Sequence, residues 1–265
     1  MTRTVLVTGG SDGIGRATAA RFAAAGDRVW FTYRTGQERA EKLVAELSAA
    51  GADVAAFPFD QGNWSSHQRL FADLPGPVDV LVNNAAVGSR TVEWHVEGGE
   101  VERAEAFLRI NSVGPLWLVQ QVLPDMLERG GVVVNVASVG GGVSVFPGFH
   151  VADGMSKAAL AYLTRHLAAE LAHERVRVVA VCPGAVDTTM FRASTLSHLD
   201  DDARASLVGG LPGGRLIEAE EVAELVHWLT LPGAALLHGA VIDASMGLGV
   251  HPGLVAKRPV ERSVV

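Results

Sequence analysis

A single cysteine, Cys182, stands in 265 residues, which excludes an internal disulfide and a thiolate metal cluster. Tyrosine is almost as scarce, with Tyr33 and Tyr162 the only phenols available for proton chemistry. Basic charge is thin too. Against 29 Asp and Glu there are 22 Lys and Arg, a net charge of −7, and no basic run is present, so nucleic acid and anionic membrane are poor partners. No apolar stretch reaches the ~18–20 residues of a membrane span. Met1 leads almost at once into RTVLVTGG, which reads as strand and turn rather than signal peptide. The nine histidines show no metal-ligand spacing. No Pro/Gly/Ser-rich linker and no repeat divides the chain, so one cytoplasmic domain over residues 1–265, acting on a small molecule, is expected.

What is present alternates. Short β-branched runs occur at 4–8, 28–33, 53–59, 78–83, 132–138, 177–184 and 240–244. Ala-rich amphipathic stretches of helical length lie at 14–25, 38–50, 101–127, 153–173 and 218–230. Continuous apolar strands separated by helices predict an α/β fold, a Rossmann-like doubly wound parallel sheet with helices on both faces. Segment 190–217, polar and then Gly-rich, is expected to be a mobile substrate flap, and the tail 246–265 carries no helix signal.

Residues 4–15, TVLVTGGSDGIG, set strand, glycine turn and helix start in the order that a nucleotide pyrophosphate requires. Gly9 allows a sharp exit from the strand, while Gly13 and Gly15 let a phosphate approach backbone N–H groups. Together with NNAA at 83–86, Asn111, NVAS ending at Ser138, SK at 156–157 and PGAVDTTM at 183–190, this order resembles the short-chain dehydrogenases/reductases over about residues 4–247. The resemblance implies an NAD(P)(H) cofactor and a homodimer or homotetramer. It places Gly9, Ser11, Asp12, Gly13, Ile14 and Gly15 at the phosphates and Asp60 at the adenine. Asn83 and Ala85 fall beside the adenosine ribose, Lys157 at the other ribose, and Pro183, Gly184, Val186 and Thr188 at the nicotinamide.

After the second strand stand Arg34 and Thr35, with no carboxylate before Glu38. An acid there would bind the ribose hydroxyls of NAD, whereas an arginine accepts a 2′-phosphate, so NADPH/NADP+ is expected over NADH. Asp12 speaks the other way, because many NADPH-binding relatives carry a basic residue at that point.

The resemblance assigns the carbonyl contact to Ser138, the ribose contact to Lys157, and to Asn111 a water that feeds the lysine. Its proton-transferring tyrosine is missing: four residues before Lys157 stands Asp153. A phenol with a pKa of about 10 donates at neutral pH, but an ordinary Asp at about 3.9 holds its proton in only about 1 molecule in 1,000. A nearby lysine is expected to push that value lower still. Asp is also about 3 Å shorter. Such a residue suits a C=N electrophile, whose cation needs a counter-charge rather than a proton donor. Ketone reduction survives if burial raises the Asp153 pKa or if His150 donates instead. A non-redox enzyme using Asp153 as base, or an inactive cofactor-binding homologue, are the other readings.

Overall fold

A computed structural model describes residues 2–146 and 150–250; of the tail expected at 246–265, residues 251–265 lie outside the described residues. All seven expected strands form: β1 (Thr4–Val7), β2 (Arg28–Tyr33), β3 (Val54–Pro58), β4 (Val80–Asn83), β5 (Gly131–Val136), β6 (Val176–Pro183) and β7 (Val241–Ala244). They make one parallel sheet in the order β3-β2-β1-β4-β5-β6-β7.

The period-2 alternation of strand side chains divides the core in two. Val5, Val7, Val29, Phe31, Val80, Val82, Val134 and Val136 face α1 (Gly13–Ala24), α2 (Gln37–Ala49) and the Ala219–Leu229 helix. Leu6, Trp30, Leu81, Val133 and Val178 face α3 (Trp64–Asp73), α5 (Gly114–Arg129) and α6 (Val151–Glu170). Each fully buried Val, Leu or Phe contributes about 1.5–3 kcal/mol, and both faces are lined with them. That is why the strands read as unbroken apolar runs.

Two stretches depart from the sequence expectation. Helix α3 was not expected, because its buried face is Ser66, His67 and Leu70 and only the last is apolar. The 101–127 stretch is two helices, α4 (Glu100–Leu108) and α5, joined by a π-helical turn at Arg109–Val113 that carries Asn111. Segment 190–217, expected as a substrate flap, carries secondary structure of its own. It holds a π turn, Arg192–Leu196, and helix α7 (Asp201–Gly210), with α8 (Ala219–Leu229) following. The acidic run there is a cap, since the Asp200 carboxylate accepts from the Ala203 N–H at 2.8 Å.

A buried polar chain crosses the sheet into α6. Asn83 donates to Asn135 at 2.8 Å, Asn135 donates to the Thr164 hydroxyl at 2.9 Å, and Thr164 donates to Leu160 O. Its members are fully buried or nearly so.

Candidate active site

Parallel strands place every strand C-terminus along one edge, and the expected site residues gather there. The turn after β1 needs its glycines. Gly9 and Gly13 have φ of +67° and +50°, in the left-handed region. A Cβ on Gly15 would lie 2.5 Å from Asn84 Nδ2 and 2.8 Å from the Gly9 carbonyl carbon, so only glycine fits. The Thr8 hydroxyl accepts from the Asn84 and Ala85 amides at 3.0 and 2.9 Å, which laces this turn to the end of β4. Ser11 is buried and Ile14 packs onto the core. Asp12 caps α1 by accepting from the Gly13 N–H at 2.7 Å. Across the turn, a Cβ on Gly13 would lie 3.1 Å from Thr188 Cγ2, so the segment after β6 forms the opposite wall. Within that segment Pro183 ends β6, Gly184 abuts Ser245, and Val186 bridges to Ile217.

At the end of β2 the Arg34 guanidinium is shared. It contacts His95 Nδ1, donates to Trp94 O at 3.5 Å, and lies 3.8 Å from Asp60 Oδ2. Burial, and then the Arg34 charge, depress the His95 pKa to about 4. Asp60 also accepts from the Gly62 N–H at 3.0 Å, and Thr35 is exposed. Ala85 O accepts from the Gln61 amide at 2.7 Å. The Asn83 side chain points elsewhere, into the buried chain described above, and only its backbone is left for a cleft.

Ser138, Asp153 and Lys157 share one neighbourhood. Ser138 lies two residues beyond the end of β5 and accepts from the Gly140 N–H at 3.1 Å. The turn that follows packs hard on α6, where a Cβ on Gly141 would meet Gly154 backbone. Asp153 is half-buried in the first turn of α6, and its Oδ2 accepts from the Ser89 hydroxyl at 2.9 Å. Lys157 is buried. The sequence expectation for Asp153 is overturned: burial raises its pKa, outweighing the downward pull of Lys157, Ser89 and His150. The same burial lowers the Lys157 pKa, against the pull of Asp153. Behind them, burial pushes the Cys182 thiol up to about 11, which keeps it an inert packing group.

A family model of short chain dehydrogenases matches residues 3–198. The chain belongs to the short-chain dehydrogenase family. It is an oxidoreductase by that membership. Acetoacetyl-CoA reductase of Rhizobium meliloti is 35% identical over 259 residues, covering 93% of this chain and 98% of that protein. A 3beta-hydroxysteroid dehydrogenase of Eggerthella lenta is 32% identical over 257 residues, covering 95% of each. Among solved structures, an actinorhodin polyketide ketoreductase variant determined with NADPH matches with a TM-score of 0.83 at 33% identity, over 94% of this chain and 97% of that one.

Within this short-chain dehydrogenase several site features escaped the sequence. Ser89 is a lone serine in a loop, with no pattern to mark it. Asn111, expected to hold a water, spends its side chain on protein: its Oδ1 accepts from Val87 N at 2.8 Å, and its Nδ2 donates to Val87 O at 2.9 Å and to Ser156 Oγ at 3.0 Å. His150 is the helix cap, not a spare donor. Its Nδ1 accepts from Ala152 N at 3.2 Å and its Nε2 meets Glu100 at 2.9 Å, so neither nitrogen serves Asp153. Tyr162 is 66% exposed on α6 and stacks on His166, so it replaces nothing in the site. Among the described residues no group of three His, Cys, Asp or Glu could hold a metal, and no helix is long and apolar enough to cross a membrane.

Proposed function

We propose that this protein is an NADP(H)-dependent reductase whose substrate-facing group is Asp153, where its relatives' pattern has a phenol. The observation that carries the reading is the Asp153 carboxylate, half-buried, four residues before the buried Lys157 and beside the Ser138 turn. The residues present fit a dinucleotide. Gly9, Gly13 and Gly15 form a cradle that a Cβ would fill, and Ser11, Asp12 and Ile14 complete it at the α1 N-terminus. Arg34, with Thr35 beside it, stands where a 2′-phosphate would be recognised, and no acid competes for ribose hydroxyls at that strand end. Asp60, Asn83 and Ala85 line the adenosine side, and Pro183, Gly184, Val186 and Thr188 the nicotinamide side. When bound, the cofactor supplies the hydride.

Ser138 then orients the electrophile through its hydroxyl. Lys157 holds a ribose and keeps a positive charge near Asp153. Asn111 fixes the segment over the site. Asp153, held by Ser89, presents negative charge to the reacting group in a partly dry cleft, where it favours a cationic C=N centre. An iminium carbon that gains hydride becomes a neutral amine, so no proton has to reach nitrogen in that step.

A second reading has its own support. Burial raises the Asp153 pKa, and relatives of this chain are named for carbonyl and hydroxyl substrates. In that reading protonated Asp153 gives its proton to the alkoxide formed from a carbonyl. The two differ in sign: iminium reduction strengthens as pH rises through the Asp153 pKa, carbonyl reduction weakens. Exposed Val151, Met155 and Tyr162 along α6 support assembly of the chain as a homodimer or homotetramer.

The deciding assay is NADPH oxidation with a cyclic imine and the ketone of the same skeleton, using wild type, Asp153→Asn and Asp153→Tyr. Imine turnover that collapses in the Asn variant supports the counter-charge. Ketone turnover by the wild type that survives Asp153→Asn refutes any role for the carboxyl group.

A further inference from the structure

Asp153 does not stand alone. Its carboxylate is too short to reach where a phenol would, and among the described residues its hydrogen-bonding neighbour is Ser89, 64 residues earlier in the chain. We propose that Ser89 is a positioning residue for Asp153, its hydroxyl fixing the carboxylate on the segment between β4 and α4 and so setting where negative charge meets the substrate. This inference rests on the reading that Asp153 faces the substrate.

The segment is built to deliver that hydroxyl. Asn111 grips Val87 from both sides, accepting from its N–H and donating to its carbonyl. The Gly88 N–H donates to the Thr91 hydroxyl at 2.9 Å, closing a tight turn around Ser89. From above, the 189–196 stretch lies on Gly88, where a Cβ would come within 3.3 Å of Met190 Sδ and 3.4 Å of Ser194 Oγ. On the helix side, Ser156 receives Asn111 Nδ2 and donates to Asp153 O at 2.6 Å. One asparagine therefore aligns both ends of the Ser89–Asp153 pair. The Ser89 hydroxyl also accepts from the His150 N–H at 3.5 Å, so it spans the helix start.

The hydroxyl donates, which favours the ionised carboxylate, and the Ser89 backbone N–H adds to that effect. The other charged and titratable groups around the pair are Lys157 on α6 and His150 at its cap, with Glu100 of α4 bound to His150 and Cys182 of β6 behind Lys157. Among the described residues none of these makes a hydrogen bond to the Asp153 carboxylate, so Ser89 is the group whose removal isolates the effect.

The test is ¹³C NMR of the full-length protein labelled at aspartate Cγ, with the resonance absent from Asp153→Asn identifying Asp153. Ser89→Ala is expected to move the Asp153 titration upward by about one pH unit, a tenfold change in its proton affinity. Ser89→Thr keeps the hydroxyl and is expected to titrate with the wild type. An Ala variant that titrates with the wild type, or a Thr variant displaced as far as Ala, overturns the proposal. Turnover of Asp153→Asn is measured alongside. Full activity there refutes the catalytic reading of Asp153, while the titration still decides whether Ser89 controls that carboxyl group.

Discussion

Gly141→Ala tests how tightly the Ser138 turn is bound to the helix that carries Asp153. Gly141 has φ +89° and ψ −40°, a conformation that costs an L-residue about 1–3 kcal/mol. Its Cβ would also lie 2.9 Å from the carbonyl carbon and 3.0 Å from the Cα of Gly154, and closer still to the carbonyl oxygen. These are backbone atoms, so no side chain can swing away. Relief needs the first turn of α6 to retreat by about 1 Å, a displacement that can cost about a hundredfold in rate when it misplaces a reacting group. Strain and overpacking together come to about 3 kcal/mol, or about 6–12 °C in Tm for a chain of this size. Gly140→Ala is the control, with φ −75° and ψ 113° and only ordinary contacts at 3.6 and 3.7 Å. Thermal melts and kcat/KM should separate the two variants sharply. A Gly141→Ala enzyme with unaltered Tm and turnover would refute the argument that the Ser138 turn and α6 are locked together.

Four further outcomes are expected. Lys157→Met should cut turnover by about a hundredfold or more and raise the Asp153 titration further, because Lys157 pulls that carboxyl group down; Cγ NMR reads the second effect. Arg34→Asp should weaken NADPH binding by about a hundredfold relative to NADH, measured as Kd by nucleotide fluorescence. His95 is neutral in the fold, with a pKa of about 4 against 6.5 for a free imidazole. Its contribution to stability is therefore full above pH 6.5 and lost as pH falls through about 4, a loss that denaturant titrations of His95→Gln should not show. Ser194 Oγ is buried and has no hydrogen-bond partner among the described residues. Ser194→Ala should leave stability unchanged or raise it by about 1 kcal/mol, read from chemical denaturation.

What could be read without coordinates divides along physical lines. The strands were legible because both of their faces are buried, so hydrophobicity marks them residue after residue. Helix α3 was not, since Ser66 and His67 fill positions that an apolar pattern would need, and α7 opens in an acidic run and closes in glycines. Glycine spacing and the SK pair marked the site because they act through backbone geometry and one helix face, which are local. The Ser89–Asp153 pair joins residues 64 apart, and no local rule connects them. The sign of the Asp153 shift was missed for a related reason. The lysine is visible four residues away in the chain, but the desolvation that outweighs it comes from segments far off in sequence.

The chain from Asn83 through Asn135 to Thr164 has a bearing on how this molecule assembles. Asn83 and Asn135 are direct partners in the β4–β5 ladder, so their amides meet only in one register. A slip of one strand by one residue would turn its asparagine to the opposite face, part the pair and leave two amides unsatisfied in an apolar core, at about 1–3 kcal/mol each. Hydrophobic packing alone is tolerant there, because the valines at 132, 133 and 134 are interchangeable. The asparagines remove that ambiguity, and through Thr164 they tie the correct register to the seating of the helix that bears Asp153 and Lys157. A misaligned sheet therefore cannot acquire a properly seated active-site helix, and proofreading of the one becomes proofreading of the other.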